Sequence, residues 1–367
     1  MSTDEIAVDQ SVSVTRHQIP VAYTLAGAIV LTIFFTWAPW LLPASWVTIL
    51  MNFFILVIMA TMWNLLAGYA GMVSIGQQAF IGLGAYATLY FAIKGMDPFV
   101  AIPLAVVVCA VIAYPVTFLL FRLRGGYFSV ATWVIADSAA LIIGSIAFFG
   151  GGTGHYLPGL SGIAFKQLNH DIYLAAWFVA LIVIVATYIL LRSRLGLVLS
   201  SVRDNEVAAR SSGAKVTSTR RTIFIVAAAG CGAAGAVLAI SQPFLQIGNE
   251  FNLQWAAEML FASMIGGLGT IEGPILGCII YFVLQQTLQN YGAWYLIIFG
   301  ALAVGVAIWQ PRGIWGFIRD KFHFELLPVG YRVQGTGVSQ AVPGPSIDWR
   351  PWRRASAIPP AQDADSS

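Results

Sequence analysis

Between Arg16 and Lys94 the chain carries no Asp, Glu, Lys or Arg. A run of that length is far too long for one buried helix, and it accommodates several successive membrane spans of about 20 residues each. Inside hydrocarbon the backbone must satisfy its own hydrogen bonds, which leaves α-helices or a closed barrel. Long unbroken apolar runs, in place of alternating segments of about ten residues, exclude the barrel. The remainder has the same character: of 367 residues, 58% are hydrophobic and 10% charged, against about 25% charged in a soluble domain. The expected fold is an all-α polytopic membrane protein.

Apolar segments fall at about 21–42, 47–67, 76–93, 98–121, 127–149, 172–191, 222–241, 254–268, 274–290 and 294–310, giving about ten transmembrane helices. The first has no small-residue cleavage signal after it and reads as a retained span. The eighth is short and runs into the glycine-rich stretch GGLGTIEGP (266–274), so it is either a full span or a broken, re-entrant helix. Lys and Arg set the orientation. With the N-terminus inside, Arg16, Arg122, Arg124, the 192–221 loop, Arg312, Arg319 and Lys321 are cytoplasmic, and only Lys94 and Lys166 face out. Both termini are then cytoplasmic. Residues 1–20 form an N-terminal tail, 21–316 the transmembrane domain, and 317–367 a Pro- and Gly-rich tail with the composition of a disordered segment. Its Trp349–Arg354 cluster, WRPWRR, reads as a solvated tail, with a membrane or partner contact as the alternative.

One loop interrupts the apolar pattern. From Arg192 to Arg221 it holds seven of the nineteen Lys and Arg residues, together with Asp204 and Glu206. Leu195 to Ser212 has helical periodicity, with Leu195, Leu199, Val202 and Ala209 near one face and Arg203, Asp204 and Arg210 on others. Glu206 and Arg210 are spaced i,i+4. Gly213 supplies a helix stop. The small residues Ala208, Ala209 and Gly213 leave a shallow surface where another protein could pack; the alternative is a plain solvated helix joining two spans.

Enzymatic chemistry has no visible footing. His17, His155, His170 and His323 lack metal-ligand spacing. None of the four lysines lies in a phosphate-cradling GxxxxGK[ST] loop, and no nucleophile elbow or paired-carboxylate motif is present. Cys109, Cys231 and Cys278 each lie alone in an apolar segment and behave as small hydrophobes. The net charge of +3 is spread over loops and implies no nucleic-acid partner.

Two features mark a possible path through the membrane. Glycines cluster in GYAGMVSIGQQAFIGLGAY (68–86), which includes Gly71, and in 266–277, which includes Gly267 and Gly269. Tight helix packing explains most of them; irregular backbone lining a path, with Asn64, Gln77 and Gln78 as polar contacts, is the functional alternative. Asp137 and Glu258 fall within apolar segments, where a charge costs about 2.5–3.5 kcal/mol and turns to the bundle interior or to water. Contact with substrate, proton coupling, or a hydrogen bond to a neighbouring helix would each account for them.

Five stretches, in order, carry a family resemblance: WNLLAGYAGMVSIGQQAFIGLGAY (63–86), RLRGGYFSVATW (122–133), LGLVLSSVRDNEVAARSSGAKVTSTR (195–220), GGLGTIEGPILG (266–277) and PRGIWG (311–316). From about Asn52 to Gly316 the chain resembles the LivM-type permease subunits of branched-chain amino acid ABC importers, a family that also includes urea and short-amide importers. The resemblance implies a type II ABC-importer-like permease in the bacterial inner membrane. Glu206, Ala208, Ala209 and Gly213 match the E-x-A-A-x-x-x-G core of the coupling loop that docks on an ATPase; Arg203 and Asp204, just before it, are counted with them as ATPase-coupling residues. Asp137 matches the fifth-span acid, usually a Glu, and Glu258 the acid preceding GGLG. Ala140 stands where many relatives carry Arg, and the outer glycine motif GGGTGHYLPGLSG (150–162) is longer than usual.

What the resemblance implies is a transport subunit and not an enzyme, with no cofactor of its own. It would pair with a homologous permease in a heterodimer, two cytoplasmic ATPases that bind ATP and Mg, and a periplasmic solute-binding protein. An ion-coupled secondary transporter using Asp137 and Glu258 is the rival from another class.

Overall fold

The computed structural model describes residues 13–15, 21–123, 125–160, 164–204, 206–242, 244–288, 294–310, 312–322 and 332–334. The helices are α1 (Val21–Leu41), α2 (Ala44–Asn64), α3 (Gln78–Ile93), α4 (Pro98–Leu120), α5 (Gly126–Ser145), α6 (Phe165–Arg192), α7 (Arg194–Asp204), α8 (Glu206–Ser211), α9 (Val216–Ser241), α10 (Ile247–Glu250), α11 (Leu253–Gly266), α12 (Glu272–Leu288), α13 (Trp294–Trp309) and α14 (Gly313–Phe322). Two small antiparallel pairs accompany them: β1 (Ser13–Thr15) with β4 (Arg332–Gln334), and β2 (His155–Tyr156) with β3 (Phe244–Leu245). A wide π-helical turn, Leu65–Tyr69, prolongs α2.

Each of the ten apolar segments carries a helix. Among the described residues, five helices are long and apolar enough to cross a membrane: α2 with its π turn, α4, α5, α6 and α9, or six if the bent α13–α14 pair is one span. Among the described residues, Gly27–Leu41 of α1 and the whole of α3 are shorter apolar helices. With 14 residues, α11 extends about 21 Å, short of the roughly 30 Å of hydrocarbon. It turns back antiparallel onto α12, and the two arms touch where Gly266 faces Gly273 and Gly277.

At the centre lie α2 and α9. The first packs against α6, α9, α11 and α12, the second against α3 and α4. Small residues permit this: α9 reads AAAGCGAAGA from Ala227 to Ala236. A Cβ on Gly84 of α3 would lie 2.7 Å from Gly232 Cα, and one on Gly235 would lie 2.9 Å from Ile81 Cα. The α3 and α9 backbones therefore touch directly, as in membrane helix pairs that associate by close packing. Phe35 of α1 and Phe54 of α2 pack with Tyr173 and Trp177 of α6, tying the first helix to the centre. Outer faces of α4 (Val107, Val111, Phe118) and α5 (Val130, Val134, Leu141) are exposed and apolar, as lipid contact allows.

On the far side of the bundle from the charged loop, the glycine-rich 150–160 stretch reaches β3 through β2, where Tyr156 stacks on Phe244 at 4.7 Å between ring centres. At the chain's ends, α14 continues through Phe322 and β1 pairs with β4. The remainder of both tails, including Trp349–Arg354, lies outside the described residues.

Candidate functional site

The charged loop is helical over Arg194–Asp204 and Glu206–Ser211, within the stretch where the periodicity predicted a helix. Its apolar face closes a core of its own: Val202, Ala209 and Val216 are buried together, with Val198 and Ala214 against them. Leu199 is buried in the main core. Ala209 is thus turned inward, and Ala208, Arg210 and Gly213 form the exposed side. Gly213 takes φ +83° and its N–H bonds to the Arg210 carbonyl at 3.0 Å, ending α8 in a left-handed residue. Asp204 is helical, and its side chain lies outside the described residues.

Glu206 holds this element together. Its Oε1 accepts from Arg210 Nη2 at 2.6 Å and its Oε2 lies 3.1 Å from Arg220 Nη2 of α9. Partial burial alone would raise the carboxyl, but the Arg220 and Arg210 guanidiniums hold it below the usual carboxylate range. The i,i+4 spacing disclosed the Arg210 contact. Arg220, fourteen positions from Glu206, carried no local signal.

Arg203 points the other way. Its Nη1 donates to the Gly68 carbonyl in the π turn at 3.0 Å. One turn back, Asn64 clamps the α11–α12 turn, its Oδ1 accepting from Gly269 N–H at 2.9 Å and its Nδ2 donating to the Thr270 carbonyl at 2.7 Å. There is no slack in this clasp. A Cβ on Gly269, which sits at φ +76°, would strike the Arg203 guanidinium, and one on Gly68 would strike Asn64 and Gly269. Gly267, also at positive φ, is packed beneath Gly313 at the start of α14.

The remaining predicted residues are dispersed. Gly71 at φ +66° turns the chain out of α2 with open space beside it. The 70–77 connection is held by Trp63 Nε1 to the Ser74 carbonyl at 2.8 Å and by Ile75 N–H to Thr132 Oγ1 at 3.2 Å. Gln77 is buried and donates to Ser74 Oγ at 3.2 Å; Gln78 is fully buried with neither amide atom bonded among the described residues. Glu258 accepts from Gln254 at 2.7 Å, and Gln254 also reaches Tyr295 at 3.1 Å, so this acid belongs to a bridge from α11 to α13. Asp137 lies on the exposed face of α5, away from all of these. Glu250 was not singled out by the sequence, because it lies between apolar segments. It is fully buried, and neither carboxyl oxygen has a hydrogen-bond partner among the described residues.

Comparison with known proteins gives this arrangement a context. No solved structure matches the chain. The chain is 25% identical over 289 residues to the high-affinity branched-chain amino acid transport system permease protein LivM of Salmonella typhimurium, covering 71% of this chain and 68% of the relative. A probable LivM of Methanocaldococcus jannaschii is 23% identical over 319 residues, covering 72% and 92%. The ribose import permease protein RbsC of Escherichia coli is 27% identical over 138 residues, covering 36% and 43%. Residues 45–307, most of the chain and all of the central bundle, match the family described as branched-chain amino acid transport system / permease component. The chain belongs to that family of multi-pass transport permeases, which are not enzymes.

Proposed function

We propose that the chain is one half of a heterodimeric membrane path in an ATP-driven importer for small polar solutes, most simply branched-chain amino acids. The observation that carries this reading is the α7–α8 element. It carries Arg194, Arg203, Asp204, Glu206 and Arg210 between two apolar helices, it is braced by Glu206 and Arg220, and it presents the small residues Ala208 and Gly213 outward. That ledge suits docking by a cytoplasmic ATPase. Two ATPase subunits would bind ATP and Mg, and a periplasmic binding protein would deliver solute to the opposite face. In this reading ten helical segments cross or enter the inner membrane, with both termini cytoplasmic. ATP binding would draw the two docked elements together and bias the path between outward- and inward-open states.

Asp137 supports the second permease. On the exposed apolar face of α5, a charge facing lipid costs about 2.5–3.5 kcal/mol, which a protein partner covering that face would relieve. The match to RbsC keeps the solute class wider than amino acids; urea or a short amide is the alternative within it.

The test is a gentle pull-down of the tagged chain from its native membrane, followed by uptake in proteoliposomes. A second permease and a P-loop ATPase are expected with it, and Glu206→Lys combined with Gly213→Trp is expected to abolish ATP-driven uptake. Uptake without ATP by the chain alone, or full activity of the double variant, would overturn the reading and favour the ion-coupled rival.

A further inference from the structure

The basic residues of the charged loop are not equivalent. Arg192 donates to Tyr188 Oη at 2.7 Å and Arg221 lies over the Phe118 ring of α4 at 4.2 Å, so each rests on an aromatic side chain of a span. Arg203 and Arg220 instead reach backbone carbonyls more than a hundred residues away, at Gly68 (3.0 Å) and Ala70 (3.4 Å). Both acceptors lie where α2 runs out through its π turn. Carbonyls at a helix C-terminus lack intrahelical donors and carry partial negative charge, which a guanidinium satisfies. Two arginines from the same loop therefore cap one helix end.

That end is gripped from a second direction. Asn64, on the last turn of α2, bonds both Gly269 N–H and the Thr270 carbonyl in the α11–α12 turn. From the exposed surface inward the contacts run from Arg210 to Glu206, from Glu206 to Arg220, and from Arg220 to the Ala70 carbonyl. A parallel line runs from Arg203 to Gly68, with Asn64 and Gly269 immediately beside it. The absence of Cβ space at Gly68 and Gly269 makes the junction rigid. The π turn is a place where a helix can change register, and such turns concentrate at functional sites.

We propose that Arg203 and Arg220 are transmission residues that convey displacement of the α7–α8 element to the π turn of α2 and, through Asn64, to the α11–α12 turn. The inference rests on the reading that this element docks an ATPase. Arg203 then faces the bundle rather than the docking partner, and the interrupted backbone at 65–77 and 266–272 is what moves.

The experiment uses the whole transporter in proteoliposomes with a reporter cysteine, Leu268→Cys, on the partly exposed turn; Cys109, Cys231 and Cys278 are buried. The rate of reaction with a thiol reagent is read with and without ATP and the loaded binding protein, in the reporter alone and with Arg203→Met added. Expected are an ATP-dependent change in the reporter, its reduction by about tenfold in Arg203→Met, and an equal stoichiometry of bound ATPase in both. Arg203→Lys, which keeps a cationic donor group on a shorter reach, is expected to lie between them and carries the test if Arg203→Met fails to assemble. An undiminished response in either variant overturns the proposal. So does loss of the ATPase from an otherwise folded variant, since that makes Arg203 a docking residue. If the reporter protein itself neither binds an ATPase nor takes up solute with ATP, the proposed function fails, and this inference falls with it.

Discussion

Gly269 and Gly71 have nearly the same backbone conformation, φ +76° and +66°, but different surroundings. Alanine at either must adopt the left-handed region, at about 1–2 kcal/mol. Gly71 has open space where a Cβ would go, whereas at Gly269 the Arg203 guanidinium and the Gly68 carbonyl occupy it. Gly71→Ala should therefore lower the unfolding temperature in detergent modestly, by the backbone cost alone. Gly269→Ala should lower it further and also reduce uptake, because the clasp must open. Equal effects of the two would mean that the clasp adds nothing. Both glycines were visible in the sequence, but their difference was not, since it depends on side chains from positions 64 and 203.

At the scale of elements, the α3–α9 contact is the clearest case of sequence dictating distance. Glycines at 84, 232 and 235 remove the Cβ atoms that hold ordinary helices apart, and dispersion between backbones replaces side-chain interdigitation. Gly84→Leu must push α3 off the Gly232 backbone, an overpacking cost of about 3 kcal/mol. Gly305→Leu on α13 has nothing within 4 Å to meet. The first should cut the yield of monodisperse protein in detergent severely, and the second should leave it unchanged; comparable losses would refute the packing argument. The α11–α12 hairpin belongs here too. Composition left 254–268 as either a full span or a broken, re-entrant helix, and the antiparallel return follows from Gly266, Gly273 and Gly277 letting the arms meet.

For the molecule as a whole, the informative residue is Asp137. A bundle that ended at α5 would leave this acid among exposed Val130, Val134, Leu141 and Ile142. Asp137→Leu should raise the unfolding temperature of the isolated chain, by removing a charge from an apolar face, while reducing uptake by the assembled transporter. A variant with unchanged uptake would place α5 against lipid and remove the support it lends to a second permease. The same exposure separates Asp137 from Glu258, which the sequence presented as a matching pair of membrane acids; among the described residues Glu258 is buried and bonded to Gln254, whereas Asp137 is exposed.

The sequence by itself determined that this is a helical membrane protein, where its apolar segments lie, and that one charged loop stands apart. Those properties depend on hydropathy, on helical period and on the placement of Lys and Arg, all of which are local. The Glu206–Arg210 pair and the stop at Gly213 were legible for the same reason, being separated by one turn or set by one backbone angle. Only the tertiary structure decided that Arg203 faces inward, that Glu250 is buried, and that Asn64 binds the turn at Gly269 and Thr270. Each of these depends on which distant segment fills the adjacent space, and in an apolar bundle many packings satisfy the same pattern of hydropathy. Polar side chains meeting specific backbone groups across such distances select one of them.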